Sequence, residues 1–180
     1  MEISVIAAQS LDGFIAKHDL PGTDFTSEAD KLHFRRILQI FDSLIFGRLT
    51  YEVSRAAIRA RLSPSLPRFV MTRNPETWAG DAVSGQLEFV SDTPTALVAR
   101  LRDRGFRRCA VLGGSQIHSL FLESNLIDTL IITIEPRLFG RGVPFLHQCI
   151  DANLRLESVE RLPASDSLLV TYRLAKSPDV

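Results

Sequence analysis

The chain has 180 residues, the length of one typical domain. Its 45% hydrophobic and 23% charged residues are typical of a globular protein and exclude disordered, collagen-like and coiled-coil chains. No apolar stretch reaches the roughly 18–20 residues of a membrane span, and the apolar start lacks the basic segment of a signal peptide. The 21 basic residues balance the 21 acidic ones, which argues against a nucleic-acid-binding surface and against nucleic acid as a partner.

Cysteine and histidine are sparse and scattered. Cys109 and Cys149 have no CxxC neighbour, which predicts a reducing, cytoplasmic setting and no zinc site. The four histidines form no HxH or HExxH motif, so we expect no metal centre. The chain also lacks the GxSxG, GxxxxGK[ST] and GxGxxG motifs, which removes the simplest hydrolase, triphosphatase and Rossmann interpretations.

Strand-like and helix-like segments alternate along the chain, which predicts an α/β fold. Residues 2–8 are too short and too rich in β-branched side chains for a helix, whereas Phe34, Ile37, Leu38 and Phe41 follow helical spacing. The predicted order is strand 2–8, helix 26–41, strand 43–46, a helix from about 50 that ends before 64, strands 68–72 and 87–91, helix 93–105, strand 108–112, a short helix, and strands 126–134, 154–161 and 167–174.

The last two strands are joined by a short turn around residues 163–166, so they are predicted to pair antiparallel. The whole is predicted to be a mixed sheet flanked by helices. We expect a single domain over residues 1–175, followed by a short tail, 176–180.

The strongest local signal for a ligand site is the run Gly113, Gly114, Ser115 and Gln116, where a buried strand passes through two glycines into a helix. The missing Cβ atoms let phosphates approach the backbone, and the helix start offers free N–H groups. A tight turn that binds nothing is the alternative, and glycine alone does not decide between them.

Two further strand ends carry phosphate-type donors. Gly47, Arg48 and Thr50 follow one strand, and Thr72 and Arg73 follow another. The first of these segments could be only a helix cap beside a surface arginine. In open α/β sheets, however, ligands bind outside the carboxyl ends of strands, and three such ends together favour a dinucleotide.

Three loops could face a substrate. Asp12 and Gly13 form a turn after the first strand that could close over a ligand. A carboxylate in a cleft, with Asp30 as the main candidate, could orient a pyrimidine-like ring or support its protonation. The other candidates are Asp24 and Ser27 before the first helix and Glu135, Arg137 and Gly140 after the long strand. A helix cap and plain ordered loops are the alternatives.

Taken in order, these segments resemble the dihydrofolate-reductase-like superfamily, and more closely the RibD C-terminal domain family of riboflavin biosynthesis. The resemblance spans residues 4–174. It rests on SLDGFIA (10–16), TSEAD (26–30), IFGRLTYE (45–52), VMTRNP (70–75), VLGGSQI (111–117) and LIDTLIITIEPRLFGRGVPFL (126–146).

The resemblance implies a three-layer α/β fold with a central, mostly parallel sheet and an antiparallel C-terminal strand pair. It also implies an NADPH site. Arg48, Thr50 and Arg73, with Gly47 and Thr72 beside them, would hold the adenosine-side phosphates, and the Gly113–Gln116 turn, with a cis Gly113–Gly114 bond, would hold the pyrophosphate. Asp30 and Asp12 would be catalytic, and the other loop residues would contact substrate.

The implied activity is hydride transfer to a pyrimidine-, pterin- or ribosyl-type small molecule, as in 5-amino-6-(5-phosphoribosylamino)uracil reductases. Residues 51–59 lack the DDPxLxxR-like stretch of the riboflavin reductases, so the substrate is predicted only as a class. Dihydrofolate reduction and a non-catalytic NADPH- or nucleotide-binding protein are the alternatives. The resemblance further implies a homodimer, and neither the composition nor the resemblance indicates a membrane partner.

Overall fold

The computed structural model describes residues 1–20 and 22–175. The predicted tail, 176–180, therefore lies outside the described residues, and its separation from the domain stays a prediction. The helices are α1 (Glu28–Ile37), α2 (Arg48–Arg59), α3 (Pro94–Asp103) and α4 (Ser115–Glu123), with short 3-10 turns at Leu38–Ile40 and Pro75–Trp78. The strands are β1 (Glu2–Ser10), β2 (Phe14–Lys17), β3 (Ser43–Gly47), β4 (Arg68–Met71), β5 (Leu87–Val90), β6 (Arg108–Val111), β7 (Thr129–Glu135), β8 (Gly142–Pro144), β9 (Leu154–Arg161) and β10 (Leu168–Leu174).

Eight strands form one mixed sheet in the order β5-β4-β3-β6-β1-β7-β10-β9. The first six of these are mutually parallel, whereas β10 runs antiparallel to β7 and β9 antiparallel to β10. The predicted fold class, including the antiparallel C-terminal pair, is confirmed.

Both faces of the sheet are covered by helices. Alternate residues of a strand point to opposite faces, so Val5 joins the core beneath α3 and α4, whereas Ile6 joins the core beneath α1 and α2. Leu101 and Phe121 are fully buried on the first side, and Tyr51 is fully buried on the second. This three-layer packing fixes the strand ends, which carry the candidate site.

Three of the differences between the structure and the sequence-based prediction have a local physical reason. Two segments predicted as loops, β2 and β8, pair antiparallel as a small separate sheet, because this pairing satisfies backbone groups that the main sheet does not reach. The helix predicted from about residue 50 begins at Arg48, since Gly47 is its extended N-cap. The strand predicted from residue 126 begins only at Thr129, because the Asp128 side chain accepts a hydrogen bond from the Ile3 N–H at 2.9 Å.

Candidate functional site

Five parallel strand ends lie side by side at one edge of the sheet. The strands β4, β3, β6, β1 and β7 are neighbours in that order, so their carboxyl ends meet along one line. Every segment predicted to bind cofactor follows β3, β4 or β6, and Asp12 and Glu135 lie at the ends of β1 and β7. The sheet therefore brings the predicted cofactor and substrate segments to the same edge.

The Gly113–Gly114 turn connects β6 to α4. Its peptide bond is cis, as expected, and Gly113 has a φ of 91°, which glycine adopts readily. The Gly113 carbonyl accepts a hydrogen bond from the Gly47 N–H at 2.7 Å, so the ends of β6 and β3 are joined. A Cβ on Gly114 would lie 3.5 Å from the Thr50 hydroxyl oxygen, which places two predicted cofactor residues from different strand ends in contact distance.

The start of α4 presents unsatisfied polar groups. Ser115 is 7% exposed, and its hydroxyl oxygen is buried without a hydrogen-bond partner among the described residues. Within that part of the chain, the first N–H groups of α4, at Ser115 and Gln116, also have no backbone acceptor, as expected for the first turn of a helix. A buried orphan hydroxyl beside free N–H groups fits an anionic group of a ligand.

Arg48 and Arg73 follow β3 and β4, the next two strands on one side of β6. The Arg48 guanidinium contacts both carboxylate oxygens of Glu52 at 2.7 Å, which holds the side chain along α2. Arg73 is exposed and has no ion pair within the described residues. Thr72 lies just before it and accepts a hydrogen bond from the Asn74 N–H at 3.3 Å. The phosphate-binding roles of both arginines stay predictions.

Asp12 joins two loops. Its carboxylate accepts hydrogen bonds from the Ser10 hydroxyl at 2.6 Å, from the Phe139 N–H at 2.9 Å and from the Gly140 N–H at 2.7 Å. The Ser10 contact, followed by these backbone donors, lowers the Asp12 pKa. Gly13 completes the turn with a φ of 87°. These contacts describe a side chain that positions loops, and its predicted catalytic role stays a prediction.

Asp30 lies in the first turn of α1 and is 8% exposed. Burial raises the pKa of its carboxyl, while hydrogen bonds from Thr133 and Thr26 act in the opposite direction. The nearby charge of Glu135 raises the pKa further. The result is a carboxyl group that holds its proton to higher pH than an ordinary aspartate, as a general acid requires.

The side chain of Glu135 lies in the interior of the protein, although the sequence-based prediction has it contacting substrate. It is 2% exposed, and both of its oxygens are engaged by Ser27 and Ser167. The side chain turns inward because α1 packs over the end of β7 and presents Ser27 to it. Ser27 is likewise the N-cap of α1, and its hydroxyl accepts the Asp30 N–H at 3.1 Å. Both residues support Asp30 in the described arrangement.

A second group of predicted substrate residues lines a pocket of about 290 Å³. Asp24 and Arg137 lie on opposite loops there, together with Lys17, Leu20, Gly22 and Phe25. The Phe25 ring packs edge-to-face on Phe139 with centroids 5.1 Å apart, next to Gly140. The pocket therefore has an apolar wall and charged groups of both signs.

Sequence reasoning missed Thr133, Ser167 and His118. A polar residue within an apolar strand, such as Thr133, is a sequence signal that could have indicated a functional side chain. Ser167 resembles an ordinary turn residue, so the sequence gives no such signal for it. His118 is 1% exposed and lies beneath Gly113, a placement that no sequence spacing indicates. In the part of the chain that the structure describes, no group of three or more potential metal ligands is found, and no helix is long and apolar enough to span a bilayer.

The fold is similar to that of dihydrofolate reductase. Dihydrofolate reductase from Enterococcus faecalis, solved in complex with NADP(H), shares this fold with a TM-score of 0.62 and 19% identity over 97% of each chain. A putative riboflavin biosynthesis protein from Shewanella sp. PV-4 is more similar, with a TM-score of 0.73 and 25% identity over 98% of this chain and 100% of its own.

Sequence comparison defines the family. Residues 2–165 match the RibD C-terminal domain, and the chain belongs to that family. It is also 30% identical to the YwjB protein of Bacillus subtilis (strain 168) over 165 residues, which cover 86% of this chain and 88% of that protein.

Proposed function

We propose that the protein is an NADPH-dependent reductase that transfers a hydride to a pyrimidine-, pterin- or ribosyl-type small molecule. The observation that carries the proposal is the juxtaposition at one sheet edge of an anion cradle and a buried acid. The cradle is the Gly113–Gly114 turn with the orphan Ser115 hydroxyl, and the acid is Asp30. Family membership and the reductase fold support the same activity.

The described residues fit a dinucleotide. Ser115 and Gln116 would donate to the pyrophosphate from the start of α4, and the missing side chain at Gly114 would let it approach the backbone on the side of Thr50. Thr50 and Arg48, across from Gly114, and Thr72 and Arg73, on the next strand end, would hold the adenosine-side phosphates. NADPH, when bound, supplies the hydride.

The protein's own contribution is to hold the substrate and supply a proton. The raised pKa of Asp30 favours its protonated form, which would donate a proton to the nitrogen or oxygen beside the carbon that receives the hydride. Asp12 would keep the loop at Gly13 fastened to Phe139 and Gly140, which closes the cleft from one side. Asp24 and Arg137 would contact polar groups of the substrate that extend into the neighbouring pocket.

Direct binding and turnover test this function. NADPH should bind at micromolar protein and be oxidised in the presence of a pterin, a pyrimidine or a ribosylaminopyrimidine phosphate. Asp30→Asn should retain NADPH binding but lose roughly 10²–10⁴-fold in turnover, the usual contribution of a general acid. Unchanged turnover in Asp30→Asn would remove Asp30 from the mechanism.

Two alternatives share the fold. Dihydrofolate reductase activity is favoured by the Asp30–Thr133 pair in the cleft, and dihydrofolate belongs in the substrate panel for that reason. A non-catalytic NADPH-binding protein would bind the cofactor but would not oxidise it in the presence of any candidate substrate. Failure to bind NADPH would contradict both the proposed function and this second alternative.

Assembly and location are proposed on separate observations. Cys109 and Cys149 are both free, which is consistent with the reducing cytoplasm. A homodimer is proposed from the apolar face of β9, where Leu156 and Val159 are 52% and 53% exposed at an edge strand.

A further inference from the structure

Glu135 is a buried carboxylate with three donors and no cation. Its Oε1 accepts the Ser27 N–H at 2.8 Å and the Ser27 hydroxyl at 3.0 Å, and its Oε2 accepts the Ser167 hydroxyl at 2.8 Å. Glu135 is 2% exposed and Ser167 is 1% exposed, whereas Ser27 is partly buried at the start of α1. Within the described residues no lysine, arginine or histidine lies within ion-pair distance of Glu135.

Burying a carboxylate lowers the stability of the folded state. Its presence here therefore calls for an explanation other than stability. An ionised carboxylate loses several kcal/mol of hydration on burial, and neutral hydroxyl and amide donors recover only part of it. A glutamine could make all three contacts without the charge, because its carbonyl oxygen would face Ser27 and its amide would donate to Ser167. The hydrogen bonds of the cluster therefore do not explain why this position holds a glutamate rather than a glutamine.

The contacts of Glu135 lead directly to Asp30. Ser27 donates to Glu135 from the N-cap of α1, and the same Ser27 hydroxyl accepts the Asp30 N–H at 3.1 Å. From β7, Thr133 lies two residues before Glu135, on the same side of the strand, and bonds to the Asp30 carboxyl. Glu135 and Thr133 thus hold the first turn of α1 from one strand.

We propose that Glu135 is a positioning residue that acts through Asp30: it fixes the first turn of α1 on β7 and places a carboxylate near the group that donates a proton to the substrate. The last part rests on the proposed function. In that step the Asp30 O–H bond breaks and an N–H or O–H bond forms on the substrate as hydride reaches the adjacent carbon. Water then returns a proton to the Asp30 carboxylate.

The charges around Asp30 support this role. Desolvation is the largest cause of its raised pKa, and Glu135 on β7 adds to it. His33, one turn further along α1, opposes it, but burial lowers the His33 pKa and so favours the neutral ring near pH 7. Glu160 and Arg36 act on His33 with opposite signs. Glu135 is thus the one negative charge among the groups acting on Asp30.

The test is the titration of Asp30 itself, followed by carboxyl-carbon NMR in protein labelled at aspartate, with Asp30→Asn to assign the signal. Glu135→Gln keeps the contacts and removes the charge, so the Asp30 midpoint should move to lower pH while the melting temperature at neutral pH does not fall. Glu135→Asp keeps the charge and should titrate closer to wild type. Glu76→Gln, at an exposed carboxylate in the 3-10 turn Pro75–Trp78, should change nothing.

Three outcomes would overturn the proposal: an Asp30 midpoint unchanged in Glu135→Gln, an equal shift in Glu135→Asp, or a Glu135→Gln protein that does not fold. A Glu135→Gln protein that does not fold would show that the glutamate is required for folding and not for the titration of Asp30. Because the titration requires neither NADPH nor substrate, it stands even if no reductase activity is found. Where turnover is measurable, the kcat–pH profile of Glu135→Gln should shift to lower pH with little change in KM.

Discussion

The imidazole of His118 lies directly beneath Gly113, so close that a Cβ at position 113 would be 2.8 Å from the ring Nε2. The other ring nitrogen, Nδ1, bonds to the Phe145 carbonyl oxygen at 3.1 Å. Since a carbonyl only accepts, Nδ1 carries the proton and Nε2 faces Gly113 as a lone pair. One side chain of α4 therefore supports the Gly113 turn and also reaches the segment after β8.

Gly113→Ala should lower the stability of the protein, whereas Gly114→Ala should weaken NADPH binding. At Gly113 an alanine meets His118 and a left-handed backbone, so we expect a loss of about 1–3 kcal/mol in the free energy of unfolding. At Gly114 the nearest atom to the new methyl group is the Thr50 hydroxyl oxygen at 3.5 Å, an ordinary contact. Gly114→Ala should therefore fold normally but weaken NADPH binding. Urea denaturation and NADPH titration separate the two effects, and equal stability losses would contradict this account.

His118 should make the protein sensitive to acid. Burial lowers its pKa from 6.5 to about 4, so the folded state disfavours the protonated ring. A depressed folded pKa gives stability that is present above pH 6.5 and lost as the pH falls toward 4, which amounts to about 3 kcal/mol for a shift of this size. His118→Asn keeps a donor for the Phe145 carbonyl but does not titrate. The difference in unfolding free energy between pH 7 and pH 4 should be larger in wild type by that amount, and parallel curves would count against it.

Arg48→Ala and Arg73→Ala should weaken NADPH more than NADH, because only NADPH carries the 2′-phosphate. Loss of a charge-assisted hydrogen bond predicts a roughly 10–100-fold increase in the Kd for NADPH. Glu52→Gln removes the carboxylate that Arg48 now contacts and should tighten NADPH binding modestly. Arg102→Ala, on the exposed face of α3, is the matched control. Equal losses for both cofactors would argue against the 2′-phosphate contact.

The edge strand β9 should mediate dimer formation. Its ladder with β10 shifts register between Thr171 and Tyr172, and the shift places Val159 on the same face as Leu156, opposite apolar residues of β10. Val159→Lys should convert a dimer to a monomer in sedimentation experiments without loss of folding. Leu138→Lys is the control: this residue is 73% exposed near the candidate site, and its substitution should leave the dimer intact. A wild-type monomer would contradict the proposal.

The sequence by itself determined the helices and the strands of the main sheet, and the loops proposed to carry the chemistry. Local patterns of apolar residues and glycine predict a strand, a turn and a helix, as in the segment around Gly113–Gly114. The order of these segments also indicated the family, which the match over residues 2–165 confirmed.

Only the tertiary structure decided which side chains meet. Glu135 and Ser27 are 108 positions apart, and no local pattern indicates that α1 covers the end of β7 and turns the glutamate inward. The placement of His118 beneath Gly113, and of Thr133 against Asp30, likewise depends on how helices pack on the sheet. Periodicity reports which face of an element is buried, whereas contacts between distant elements arise from the packing of all three layers together.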